Sequence, residues 1–167
     1  FNITLRFGNE ENLKNKNYAG QFAASLLDRG TTSKTREQIK DEFDRLKATV
    51  NFFGSASSLS VFGQTNRENL PGVIALIEEI LTSPAFPQEE LDKLILERIT
   101  GIESQMSDPT ALAFDRIGRH MNPYPKGDPR YQDTFEESIA ELKAIKLEDI
   151  KKFYADFYGA DNGTMGL

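Results

Sequence analysis

Gln21-Phe-Ala-Ala-Ser-Leu-Leu-Asp-Arg-Gly-Thr31 reads as a helix and its exit. The helix runs from Tyr18 to Leu27, and Asp28-Arg29-Gly30 ends it, with Gly30 suited to a left-handed cap. Gln21 and Ser25 stand four apart, so they share one face of that helix, and Ala24 lies beside them. The ordinary reading is a polar helix face.

On the N-terminal side, Phe1 to Phe7 alternates apolar and polar residues like a strand, with Phe1, Ile3, Leu5 and Phe7 on one face. A polar loop from Gly8 to Asn17 follows. Beyond Thr31, Thr35 and Gln38 form a capping-box pattern that opens a helix to about Leu46, with Ile39, Phe43 and Leu46 inward. Thr49–Phe53 and Ser58–Gln64 read as a hairpin around Gly-Ser-Ala-Ser. Asn66 or Asn69 opens the next helix, with Pro71 in its first turn and a stripe of Val73, Ile74, Ile77, Ile80 and Leu81. A break at Ser83–Pro87 precedes a long amphipathic helix from about Gln88 to Met106, and Asp108-Pro109 starts another that ends near Met121. Asn122–Tyr131, NPYPKGDPRY, is a loop with three prolines and a glycine. Short helices at Glu136–Ile145 and Leu147–Tyr158 follow, and the chain ends as if entering a strand. Strands at both ends and in one hairpin, with helices between, predict an α+β domain. Its sheet is antiparallel or mixed and is covered on one face by a block of helices.

The 167 residues suffice for one domain with a sizeable core. A net charge of −6, with acids and bases interspersed, disfavours nucleic acid as a partner, because phosphate binding needs a basic stripe. Charges interrupt every apolar run, so no membrane span is expected. The chain has no cysteine, which removes disulfides and thiolate metal sites from consideration. A chain that starts and stops inside strands reads as a piece of a longer protein.

Inverted zinc peptidases carry H-x-x-E-H on a helix, so that both histidines reach one metal while the glutamate works on the metal-bound water. Leu27, Gly30 and Thr31 match the Leu-Phe-x-Gly-Thr ending found a few residues after that motif in the insulinase-type (pitrilysin) family. The order of the later landmarks agrees: Arg6-Phe7-Gly8, the Leu81-Thr-Ser-Pro-Ala-Phe-Pro87 break, Ser107-Asp108-Pro109, and the closing Phe153-Tyr-x-x-Phe-Tyr-Gly-Ala-Asp-Asn162. The chain therefore resembles that family over nearly its whole length. The histidine positions fall on Gln21 and Ser25 and the glutamate position on Ala24. The resemblance is to a degenerate, non-catalytic domain of a long bacterial zinc protease. It implies related domains, of the same chain or of a partner subunit, closing a chamber around a peptide substrate. Zinc would sit in a partner domain of the parent protein, and this domain would hold no cofactor and be inactive by itself. A periplasmic or envelope location is suggested by the same resemblance alone.

The side chains agree with loss of the metal site. Hydrolytic zinc needs three protein ligands and an open position. His120 is the chain's one histidine, Gln21 and Ser25 are poor ligands, and Ala24 cannot activate water. The resemblance puts the third ligand on the long helix, in the region of Glu97 and Glu103. The acid pairs Glu89-Glu90, Glu136-Glu137 and Glu148-Asp149 sit near helix starts, where acids favour the dipole. Two segments carry binding expectations. Val50-Asn-Phe-Phe-Gly54 matches the family's substrate-pairing edge strand, in which Asn51 survives. The stiff loop 122–131 offers Tyr124, Arg130 and Tyr131, either as inter-domain packing or as peptide contacts. The expectation is a non-catalytic domain of a zinc metalloendopeptidase. Two alternatives are a structural or assembly protein of the same fold and, with least support, a self-contained hydrolase using carboxylates.

Overall fold

Four strands pair in the order β2-β3-β1-β4, where β1 is Asn2–Arg6, β2 Thr49–Gly54, β3 Ser58–Gln64 and β4 Gly163–Gly166. Every pairing is antiparallel, which resolves the expected choice between antiparallel and mixed. The computed structural model describes residues 1–9, 11–55, 57–126, 128 and 130–166. Ala56 in the expected hairpin turn and Gly127 and Pro129 in the expected loop lie outside the described residues, as do Glu10 and Leu167.

Register follows the period-two pattern. Ile3 pairs with Val61, and Val61 with Phe52; Leu5 pairs with Leu59. Leu59 and Val61 are fully buried, so this is the face that the helices cover. The opposite face carries Asn2, Thr4, Asn51 and Ser60, together with Phe53 and Phe62. These two phenylalanines remain exposed, with ring centroids 6.1 Å apart.

Among the described residues the helices are α1 (Asn17–Leu26), α2 (Arg36–Arg45), α3 (Leu70–Thr82), α4 (Gln88–Met106), α5 (Pro109–Met121), α6 (Phe135–Ala144) and α7 (Leu147–Phe157). Thr35 and Gln38 make the expected capping box on α2. Asp108 caps α5 by accepting the Thr110 N–H. Leu26, Leu27, Ile77, Ile80, Leu91, Leu142, Ile150 and Phe153 form the centre of the core. Each such side chain contributes about 1.5–3 kcal/mol by leaving water.

Two local readings are corrected, and a third holds. Leu27–Arg29 tightens into a 3-10 turn before Gly30. Gly30, at φ 152° and ψ 146°, has a positive φ that favours glycine, but it bridges to Thr35 and does not adopt the left-handed helical conformation. Asn69 opens α3 as its N-cap residue, as read, and its side-chain amide donates to the Leu46 carbonyl at 2.9 Å. The buried stripe of α3 is Val73, Leu76, Ile77 and Ile80, with Ile74 only half-buried. On α5, Phe114, Ile117 and Met121 lie three and four apart along one flank and are exposed.

The Gly30-Thr31 landmark has a structural reason. The Gly30 carbonyl accepts from Ala85 N, and Thr32 N donates to the Ser83 carbonyl, each at 2.9 Å. Thr31 Oγ1 accepts from Lys34 N at 2.9 Å and donates to Glu79 Oε1 at 2.7 Å. The turn after α1 is thereby tied to the end of α3 and to the break before α4.

Candidate functional site

The motif-bearing face of α1 opens onto a hollow of about 420 Å³ between α1, α4 and β2. Gln21 and Ser25 line it from α1, Phe52, Phe53 and Gly54 from β2, and Leu94, Glu97 and Arg98 from α4. The structure therefore brings together Gln21 and Ser25, the positions that the resemblance gives to histidines, and one of the two carboxylates considered for the third ligand. Glu97 reaches the hollow and Glu103 does not.

The donors are disposed against a metal. Gln21 Nε2 donates to Asn17 Oδ1 at 3.1 Å, and Gln21 Oε1 accepts from Arg98 Nη2 at 2.9 Å. Ser25 Oγ donates to the Gln21 carbonyl at 2.9 Å. Arg98 thus places a permanent cation at the oxygen that would face a metal, where it repels a dication. Among the described residues no group of three His, Cys, Asp or Glu could hold a metal ion. An amide, a hydroxyl and one carboxylate beside a guanidinium do not fit hydrolytic zinc.

Ala24 does not line the hollow. It is 1% exposed and packs on β2 so closely that a Cβ on Gly54 would lie 2.0 Å from the Ala24 Cβ. The position that the resemblance gives to a water-activating glutamate is thus taken up by helix-to-strand packing.

The binding residues expected from sequence lie elsewhere. Asn51 is exposed on β2 and pairs with Phe62 on the open face of the sheet. In the loop after α5, the Arg130 guanidinium stacks on the Tyr124 ring at 4.1 Å and pairs with Asp128 at 2.9 Å. Tyr131 OH donates to Glu137 Oε2 at 2.9 Å, and Lys126 Nζ reaches Glu137 Oε1 at 2.8 Å. With Lys126, the Thr134 N–H and the Tyr131 hydroxyl around it, the Glu137 carboxyl is held down at about 2. None of these loop residues lines the hollow. His120 lies in the last turn of α5, and the three acid pairs fall in the first turns of α4, α6 and α7. Glu90 has a structural role: its carboxylate meets Lys93 at 2.8 Å and Arg29 and Arg36 at 3.1 Å.

Sequence reasoning missed Arg98. Its contact with Gln21 joins residues 77 apart, which no local pattern records. A basic residue next to the candidate ligand Glu97 was the available signal.

No protein-family model matches this chain. A zinc protease of Rickettsia bellii, itself uncharacterized, is 21% identical over 166 residues, covering 99% of this chain and 39% of that protein. The peptidase M16 inactive domain from Pseudomonas fluorescens superposes with a TM-score of 0.76 at 20% identity, over 97% of this chain and 39% of that one. A protease from Helicobacter pylori gives a TM-score of 0.76 at 17% identity, over 97% and 38%. The chain spans about two-fifths of the length of these relatives. The antiparallel sheet with helices on one face, the landmark turn at Gly30-Thr31 and the altered motif face of α1 together identify the fold as that of an insulinase-type, peptidase M16 inactive domain.

Proposed function

We propose that this chain serves as a non-catalytic domain of a zinc metalloendopeptidase. It forms part of a chamber wall and helps to hold peptide substrate, while zinc sits in another domain of the same chain or of a partner subunit. The observation that carries this reading is the hollow itself. Gln21 and Ser25 occupy the spacing of a metal-ligating pair, Arg98 donates to Gln21 beside them, and among the described residues β2 keeps one edge unpaired.

A free antiparallel edge takes up an extended peptide as a further strand, using main-chain hydrogen bonds for affinity. Asn51 on β2 then lies beside the added strand. The loop bearing Tyr124, Arg130 and Tyr131 supplies a second, aromatic and cationic contact to peptide. The names of the relatives, zinc proteases and a peptidase M16 inactive domain, support the assignment to peptide chemistry.

The test is metal analysis and peptidase assay of this chain alone and of the intact protein that contains it. The chain alone is expected to hold no zinc and cleave nothing, and the intact protein to hold zinc and cleave peptides. An intact protein with neither zinc nor peptidase activity would assign the fold to a structural or assembly role instead.

A further inference from the structure

The open face of the sheet is nearly free of charge. The four strands together hold one charged residue, Arg6, in a chain where 28% of residues are charged. Two aromatic rings stand on this face. Phe62 pairs with Asn2 on one side and with Asn51 on the other, so an exposed ring lies between two amides in one row. The next row runs through Phe53, Ser60, Thr4 and Thr164, and the Phe53 ring is the exposed neighbour of Phe62 at 6.1 Å. Among the described residues, the side chains of Asn2, Thr4, Asn51, Ser60, Gln64 and Thr164 make no hydrogen bond to the protein. Their donors and acceptors are open to solvent or to a ligand.

These features narrow the ligand. A nucleic acid needs a basic stripe, and one arginine does not supply it. An extended peptide adds at a sheet edge through main-chain groups, which the face of a sheet does not offer. A second copy of the chain is too little covered: four short strands about 4.8 Å apart present roughly 300 Å², against about 800 Å² per partner in a stable interface. What fits is a ligand without charge that offers C–H surfaces to the rings and hydroxyls to the amides. The π face of a ring carries the negative part of its quadrupole and attracts the C–H bonds of a pyranose.

We propose that the open face of the sheet binds an uncharged oligosaccharide, with one sugar stacked on Phe62 and its hydroxyls held by Asn2 and Asn51. The next sugar of an extended, β-linked chain reaches Phe53, Ser60 and Thr4. The inference concerns the face of the sheet and not the β2 edge, so it stands or falls apart from the peptide reading above.

The probe is cellohexaose, a β-linked glucose hexamer, titrated into the isotope-labelled chain and followed by amide correlation spectra. Shifts are expected along residues 2–4, 51–53 and 60–62 and not on α3, α4 or α5. Phe62→Ala is expected to weaken binding by about five- to tenfold, the scale of one aromatic contact. Phe62→Tyr is expected to keep it. The ring is exposed, so neither change touches the core. Added salt should leave the affinity unchanged, because no ion pair forms. An absence of shifts at millimolar cellohexaose, shifts centred on another surface, or equal binding by Phe62→Ala would each overturn the site. Stronger binding of an oligothymidine or of an uncharged peptide to the same two rows would overturn it as well, and would assign the face to that ligand instead.

Discussion

Thr31 donates its hydroxyl to Glu79 at 2.7 Å across 48 residues of sequence, and the same carboxylate accepts from Ser33 Oγ and Lys34 Nζ, each at 2.6 Å. One side chain of α3 therefore closes the turn that follows the motif helix. Lys34, Ser33 and Thr31, in that order of weight, hold the Glu79 carboxyl down at about 2, against an ordinary 4.5.

Glu79→Gln should cost about 2 kcal/mol at neutral pH, a figure discounted for the partial exposure of the pair. Because the folded-state pKa is depressed, the stabilisation is complete above about pH 4.5 and is lost as pH falls toward 2. Chemical denaturation across that window should show wild type and variant converging at the acid end. A constant gap down to pH 2 would mean that the ion pair contributes nothing.

Ala24→Glu should be among the more damaging substitutions in α1. It sets a carboxylate in a position that is 1% exposed and packed on Gly54. Burying an unpaired charge or overpacking the contact costs about 3 kcal/mol or more. Gly54→Ala should also destabilise, by about 1–3 kcal/mol, since its Cβ would fall within the Ala24 methyl. Adding Ala24→Gly to Gly54→Ala should recover part of that loss, which a thermal-melt cycle would measure. Full additivity would mean the two residues do not press on each other.

Gln21→His with Ser25→His should create a zinc site where none of the wild-type donors suits one. Both positions and Glu97 line one hollow, so two imidazoles and a carboxylate would converge there. Equilibrium dialysis should give stoichiometric zinc for the double variant and none for wild type, with Arg98→Ala tightening it further. The variant should still lack peptidase activity, because Ala24 leaves the bound water without a base.

Glu137→Gln separates two roles of one residue. A glutamine still completes the capping box with Thr134, so α6 should persist by circular dichroism. The charge that gathers Lys126 and Tyr131 is lost. Amide exchange at residues 130–134 should accelerate, and the variant should lose the pH dependence that wild type shows between about pH 4.5 and 2. Unchanged exchange would mean that the prolines alone hold the loop.

Local signals made the element order legible. The Thr35–Gln38 box, the Asp108-Pro109 cap, the alternation in β1 and β3 and the long apolar stripe of α4 each determine a boundary within a few residues. Long-range partners were not legible. Nothing within a helical turn of Asn69 reveals that its amide is drawn to the Leu46 carbonyl, or near Gly30 that its carbonyl accepts from Ala85. Ile74 and Leu76 are both apolar, and the neighbouring layers decide that Leu76 turns inward. The hollow became visible only when α4 carried Glu97 and Arg98 beside α1.

The unpaired edge of β2 has a consequence for the chain in concentrated solution. Thr49-Val-Asn-Phe-Phe-Gly54 contains no lysine, no other charge and no proline, the devices by which sheet edges are usually blunted against one another. Two copies can therefore zip edge to edge, with Phe53 carried along on the exposed side. Under the proposed strand addition, colloidal behaviour and peptide occupancy would be coupled through this one strand, so an extended peptide that fills the edge should also act as a solubiliser.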